Sequence, residues 1–409
     1  MAINVTHRMF WKKEHKSTPI VVDIGSREVK VLVYTYDDKT GNIMIEGVGT
    51  SSLEEDTIEH GQIQNRADVV RALETAYIEA KKSDDEISMV IGTSGILSDT
   101  IRTTMTEHRE KPNKAIRPKE WENLLEHTHC RVEEEEYHSQ LLHNMPMELV
   151  QSSIEGLTID GEPHKDPLGQ TGEKLEMNLF NTYVPESLTK ELTAIAETVN
   201  VPIEGMFHTS YAVSRLVVDN HHDPHVSMVL IDVGETHTDV TVVENGLVRD
   251  TTSFSVGGRD FTETIMTAFE ATSEEAEILK REYSKAQLPR KLAQKITDVL
   301  TEDIKLWLHG VQVTLEQYPS DFMIPQHFVL CGGSSKLMGL QEALEYGNWY
   351  ENVNLHSKPS VSVFYPKTLP HIVDTTDKLN HPKFIPLIGL IHASSSLTAQ
   401  NTFGFHKLT

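Results

Sequence analysis

The sequence predicts a mixed α/β protein built of two related lobes, with a separate αβ block inserted in the first. Three observations carry this. An apolar strand that ends in Asp-x-Gly and turns back as a hairpin occurs at Val22-Asp23-Ile24-Gly25-Ser26 and again at Ile231-Asp232-Val233-Gly234-Glu235-Thr236. The two tips lie roughly 210 residues apart, too long a period for a solenoid and suited to two facing lobes. Strand-like runs alternate with helically spaced apolar residues in both halves, and composition shifts near residue 105.

A chain of 409 residues is long for one core and implies several domains or one bilobed fold with insertions. Hydrophobic residues make up 38% and charged residues 24%, which indicates a globular chain rather than a disordered one. The sequence has no apolar run of about 18 residues and no apolar signal core at its start, so a cytoplasmic protein is expected. A net charge of -24 argues against a nucleic-acid partner. Cys130 and Cys331 fit no zinc pattern.

Residues 1–17 form a small basic, aromatic arm carrying Arg8, Phe10, Trp11, Lys12, Lys13 and Lys16. The first lobe, 18–105, opens with strands over Ile20 to Ile24, Val29 to Tyr36 and Ile43 to Gly49. A helix over 65–83 and a strand over Ile87 to Ile91 follow. The inserted block, 106–184, holds a helix from Trp121 to His129 and strands over Met147 to Ile159 and Leu175 to Val184. Its acidic run, Glu133 to Glu136, reads as a solvated face. The first lobe returns over 185–224 as helix, strand and helix. Histidines 221, 222 and 225 then have metal-like spacing but read as a solvated loop.

The second lobe, 225–366, repeats the hairpin: Val226 to Ile231, Asp239 to Glu244, an Asn245-Gly246 turn, and Leu247 to Ser255. Helices are expected over Phe261 to Ala271, Glu274 to Tyr283 and Leu288 to about Tyr318. A short strand at Phe328 to Leu330 precedes a helix over Leu337 to Leu344. The closing segment, 367–409, contains an apolar helix start at Pro386 to His392 and a polar tail from Ser394 that frays.

Four constellations bear chemistry. A Gly turn after a strand exposes backbone N–H groups that can cradle phosphate, and an Asp at the strand end can hold magnesium through water. Asp23, Gly25 and Ser26, with Lys30 in the next strand, meet that description; so do Asp232, Gly234 and Thr236. Either tip alone is also an ordinary hairpin turn. Gly332, Gly333 and Ser334 let backbone approach a flat ring closely ahead of a helix N-terminus. Glu277 and Lys280, three apart on one helical face, could meet a ribose or simply pair in solvent. Ser94 does not sit in a nucleophile elbow, and no catalytic residue is assigned.

In this order, the two Asp-x-Gly hairpins, Ala276-Glu277-Ile278-Leu279-Lys280, the Gly332-Gly333 turn with Gly339-Leu340, and Gly389-Leu390 resemble the actin-like ATPase superfamily. The likeness runs from about residue 18 to residue 393. Asp166-Pro167-Leu168-Gly169-Gln170-Thr171-Gly172 is similar to the segment that ends the inserted subdomain of FtsA, and Val256-Gly257-Gly258 with Thr262 and Ile265 also resembles that family. The resemblance implies a bilobed actin-like (ribonuclease H-like) fold with ATP and Mg2+ between the lobes. Asp23 and Asp232 would sit by the metal, Glu277 and Lys280 by the ribose, and Gly332, Gly333 and Ser334 by the adenine. It further implies a protein that polymerises through residues 106–184, binds a tubulin-like division protein, and lies at the inner face of the membrane.

Two departures qualify the expectation. The family's second phosphate loop has three glycines, whereas here Glu235 and Thr236 follow Gly234, so at most a slow ATPase is expected. The family's basic C-terminal membrane helix is absent from Ser394 to Thr409, which leaves the arm 1–17 as a candidate contact with anionic lipid. The rival readings are a PilM-type pilus-assembly ATPase that binds a membrane-protein peptide, a sugar or acid kinase of the same superfamily, and a nucleotide-poor scaffold.

Overall fold

A computed structural model describes residues 18–37, 39–81, 87–93, 95–143, 146–355, 357–398 and 402–403. The expected arm 1–17 and Ser94 lie outside these residues.

The first lobe is a six-stranded sheet. β1 (Thr18–Ile24) pairs antiparallel with β2 (Glu28–Tyr36), and β2 with β3 (Ile43–Ser52). A minimal hairpin, β4 (Ile58–Glu59) and β5 (Gln62–Ile63), leads into α1 (Arg66–Ala80). The Asn65 side chain caps α1 by accepting from the Asp68 N–H. β6 (Ile87–Thr93) then joins β1 in parallel. α1 lies unusually close to β3. A Cβ added at Gly47 or Gly49 would stand 1.8 Å from a carbonyl oxygen of Ala80 or Ala76, so a larger residue would push the helix off the sheet.

The inserted block contains β7 (Asp99–His108), α2 (Pro118–His143), β8 (Met147–Ile159), β9 (Glu162–Pro163) and β10 (Lys174–Pro185). β10 is the middle strand and pairs with β8 on one side and β7 on the other. The sheet therefore begins at Asp99, not at the expected 106. Threonines and alternating charges leave β7 mostly half-exposed, with few of the apolar positions that announce a strand. Likewise α2 extends past Trp121 to His129 in both directions. Met105, Trp121, Leu125, Leu157, Leu175 and Met177 share this block's core.

The chain returns through α3 (Glu186–Val199), β11 (Ile203–His208) parallel to β6, and α4 (Thr209–Asn220). The second lobe opens with β12 (Met228–Val233), β13 (Thr238–Glu244) and β14 (Leu247–Phe254), joined as an antiparallel meander. Next come α5 (Gly258–Phe269), α6 (Ser273–Ser284) and α7 (Arg290–Glu316). A Thr272–Glu275 capping box starts α6. β15 (His327–Cys331), α8 (Leu340–Tyr346) and β16 (Ser360–Val363) complete the lobe, with sheet order β14-β13-β12-β15-β16.

β17 (Ile372–Asp374) returns to pair with β3, giving the first lobe the order β11-β6-β1-β2-β3-β17. α9 (Ile385–Thr398) follows, and β18 (Thr402–Phe403) pairs with Ser152 and Ser153 of β8. The tail expected to fray thus adds strand residues to the inserted sheet. α8 starts at Leu340 rather than Leu337, because Gly339 at φ +102 breaks the helix before it.

The two lobes share one core. α4 packs against α9, and both sit among Val21 and Leu32 from the first sheet and Met228, Leu230 and Cys331 from the second. A Cβ at Gly389 would meet the Val213 nitrogen at 2.8 Å, so the helices cross at backbone distance. The inserted block touches the second lobe where the Val248 N–H donates to Glu155 Oε1 at 3.2 Å. Burial holds the Glu155 carboxyl above its ordinary range despite Arg102 nearby. Among the described residues no helix is long and apolar enough to cross a membrane.

Candidate functional site

The β1–β2 and β12–β13 tips have the same construction. The Gly25 N–H donates to the Glu28 carbonyl at 3.1 Å, and the Gly234 N–H donates to the His237 carbonyl at 3.0 Å. The tips meet: Ser26 Oγ and Thr236 Oγ1 share a hydrogen bond of 3.0 Å. Between the lobes lies a cleft of about 530 Å³. Asp23, Gly25, Ser26, Lys30, Asp232, Gly234, Glu277, Lys280, Gly332, Gly333 and Ser334 line it, whereas Thr236 reaches the site through its contact with Ser26.

Lys30 Nζ donates to Asp23 Oδ2 at 2.5 Å. Burial pulls the Lys30 ammonium down, but Asp23, Glu28 and Asp232 outweigh it and hold it above its ordinary value. Asp232 instead faces Asp239 across its strand pair. Desolvation at the cleft floor, then Asp239 and Asp23, push its carboxyl up to about 7, with Lys30 opposing. Asp239 is buried and accepts from Ser210 Oγ at 3.1 Å and from the Gly95 N–H at 3.4 Å.

Asp239 was not singled out in the sequence. Its signal is spacing: it follows Asp232 by seven residues, as Lys30 follows Asp23. Arg27 was missed too. Its Nη1 lies 3.2 Å from Glu235 Oε1 and 3.4 Å from Glu277 Oε2, which ties the first tip to the second lobe. Glu235 is therefore not a bare carboxylate on the second tip. It is ion-paired across the cleft.

Glu277 and Lys280 are buried rather than an exposed pair, and 2.8 Å apart. Lys280 Nζ also donates to the Gly258 carbonyl and to Thr262 Oγ1, each at 2.7 Å. Burial raises the Glu277 carboxyl, but Lys280, Arg27 and Arg281 overcome this and keep it below its ordinary range. Gly332, at φ +92, packs on the second tip: a Cβ there would come within 2.1 Å of Asp232 Oδ1. The Ser334 N–H donates to the Val233 carbonyl at 2.9 Å, bracing the glycine turn on the same tip. A Cβ at Gly333 would meet nothing within 4 Å.

Beyond these, Arg281, Lys336 and Lys383 line the cleft with His381. Burial, then Lys336 and Lys383, push the His381 imidazole down to about 4. His208, fully buried at the start of α4, is pushed to about 4 by burial and by His237, against Asp239. His221, His222 and His225 follow α4 in a loop. Among the described residues no group of three or more His, Cys, Asp or Glu is disposed to hold a metal ion by itself.

Comparison with known proteins bears on this arrangement. Residues 229–389 match the family described as cell division protein FtsA. The chain is 21% identical over 345 residues to the cell division protein FtsA of Pseudomonas aeruginosa, covering 79% of each. It is 24% identical over 344 residues to that of Enterococcus hirae, covering 78% of this chain and 74% of the relative. Among solved structures it is similar to a chain of the PilM-PilN type IV pilus biogenesis complex. The TM-score is 0.66 at 15% identity, over 93% of this chain and 99% of that one.

Proposed function

We propose that this chain, an FtsA-like protein of the actin-like fold, binds a magnesium–adenine nucleotide between its lobes and works as a polymerising adaptor in cell division. The carrying observation is the meeting of the two hairpin tips at Ser26 and Thr236, over a floor formed by Asp23 and Asp232. Because the Gly25 and Gly234 N–H groups close their own turns, the Ser26 and Thr236 hydroxyls are the side-chain donors assigned to phosphate.

The residues fit a hard cation. Asp232 is half-buried beside Asp239 and Asp23, and its carboxyl is driven up by burial and then by those like charges, so positive charge beside it is favoured. With no set of three side-chain ligands available among the described residues, Asp23 and Asp232 would hold magnesium with water and phosphate oxygens completing its shell. When bound, the ion offsets phosphate charge. Lys30 orients Asp23. Lys280 and Glu277 form the wall assigned to the ribose, and the open face of Gly333 the approach of the base.

Under this reading the inserted sheet mediates self-association, and the partner is a tubulin-like division protein at the membrane. The relatives named above are cell division proteins, which supports division over pilus assembly. Co-sedimentation with ATP, on anionic vesicles, with a tubulin-like division protein or a pilus membrane-protein peptide tests it. Nucleotide-dependent pelleting with the division protein is expected. Capture of the pilus peptide alone would favour the PilM-type alternative.

A further inference from the structure

Arg27 is the only cation paired with Glu235 among the described residues, whereas Glu277 is also paired with Lys280 and Arg281. One guanidinium of the first lobe thus holds two carboxylates of the second: one on the opposing tip, one on α6. Arg27 stays one-third exposed, while Glu235 is 15% exposed at the side chain. The clasp lies beside the Ser26–Thr236 contact, where the two tips come together. A guanidinium is a planar fork that fits carboxylate and phosphate in the same way. A phosphate entering between the tips would therefore meet Arg27 with its Nη1 already engaged by Glu235 and Glu277.

We propose that Arg27 is the phosphate-reading residue of this cleft and that Glu235 is its built-in competitor. The Glu235 carboxylate and a phosphate compete for the Nη1 edge of the Arg27 guanidinium, so phosphate occupancy is coupled to the tie between the lobes. The proposal rests on the reading of the cleft as a nucleotide site. It accounts for a carboxylate in a phosphate loop: Glu235 lowers affinity for nucleotide phosphates and makes their binding conditional on release of the clasp. Selectivity follows. Ligands with phosphate in reach of Arg27 feel the competition, and adenosine does not.

The test is equilibrium binding of ATP, ADP and adenosine to the full chain with magnesium, in four forms: wild type, Glu235→Gln, Glu235→Gln with Arg27→Gln, and Glu235→Gln with Arg27→Lys. Thermal melts confirm that each form is folded. Neutralising Glu235 should tighten ATP about fivefold or more, and adding Arg27→Gln should then weaken it about tenfold or more. Arg27→Lys, which keeps the charge and loses the fork, should fall between. Adenosine affinity should stay within about twofold when Glu235 alone is neutralised. If Arg27→Gln leaves ATP affinity unchanged once Glu235 is neutral, Arg27 only clasps and the proposal is wrong. A wild type that binds none of the three ligands would instead overturn the nucleotide reading beneath it.

Discussion

Lys30 stands in the first hairpin where Asp239 stands in the second: each is the cross-strand partner of the aspartate seven residues before it. The two lobes thus present the same backbone with opposite charge at one position. The first offers a neutralised Asp23–Lys30 pair, and the second offers Asp232 facing Asp239. Burial first, then the facing Asp239 and the nearby Asp23, drive the Asp232 carboxyl up to about 7.

The first prediction concerns pH. The Asp232 value in the fold lies above its ordinary one, so its proton favours the folded state. This contribution is complete below about pH 4 and is lost as pH rises through about 7. Asp232→Asn should therefore gain stability relative to wild type between pH 5 and pH 8, by about 2 kcal/mol after discounting for partial exposure. Urea unfolding of both proteins at the two pH values measures the difference. A gap that does not widen with pH would contradict the charge assignment.

Gly332→Ala should damage the site from the backbone side. Its φ of +92 disfavours a Cβ, and that atom would press on Asp232 Oδ1 and the Val233 carbonyl. A loss of about 1–3 kcal/mol is expected. Nucleotide affinity should fall with it, while Gly333→Ala, with open space at its Cβ, should leave stability nearly unchanged. Chemical denaturation and nucleotide titration of the two variants provide the comparison.

Much of this was legible in the sequence, for identifiable reasons. The tips are local: strand, Asp, Gly and turn sit within a few residues, so spacing reveals them twice. Their meeting across the cleft could be expected only from the repeat and the family resemblance. Arg27 acts through partners distant in sequence, whereas Asp239 is legible only as the counterpart of Lys30, seven residues after its own strand-end aspartate. Nothing near Arg27 indicates Glu235, 208 residues on. β7 escaped because half-exposed strands rich in threonine and charge lack apolar alternation. β18 escaped because a two-residue strand has no periodicity to read.

Trp307 should matter to the site without touching it. It is fully buried under the second lobe, and its indole N–H donates to Thr238 Oγ1 at 3.0 Å, at the start of β13. Trp307→Ala should cost about 3–5 kcal/mol, and Trp307→Phe less, through the lost hydrogen bond. Thermal melts report the cost. A Trp307→Phe variant as stable as wild type would show that the hydrogen bond adds nothing.

The N-terminal arm offers a separate test, argued from residues alone. Arg8, Lys12, Lys13 and Lys16 flank Phe10 and Trp11, and each basic residue near an anionic surface contributes on the order of 1 kcal/mol. Such binding is weak for one chain and is strengthened by avidity along a filament. Removal of residues 1–17 should reduce pelleting with anionic vesicles at low salt. Equal pelleting of the two forms would exclude the arm as an anchor.

The most direct test of the central claim is titration of the full chain with ATP, with and without magnesium, in wild type and Asp23→Ala. The account predicts saturable, magnesium-dependent binding by the wild type that ADP displaces, and affinity at least tenfold weaker in the variant, which loses both the metal-facing carboxylate and the partner of Lys30. Equal affinity in the two proteins, or no binding by the wild type, would contradict it.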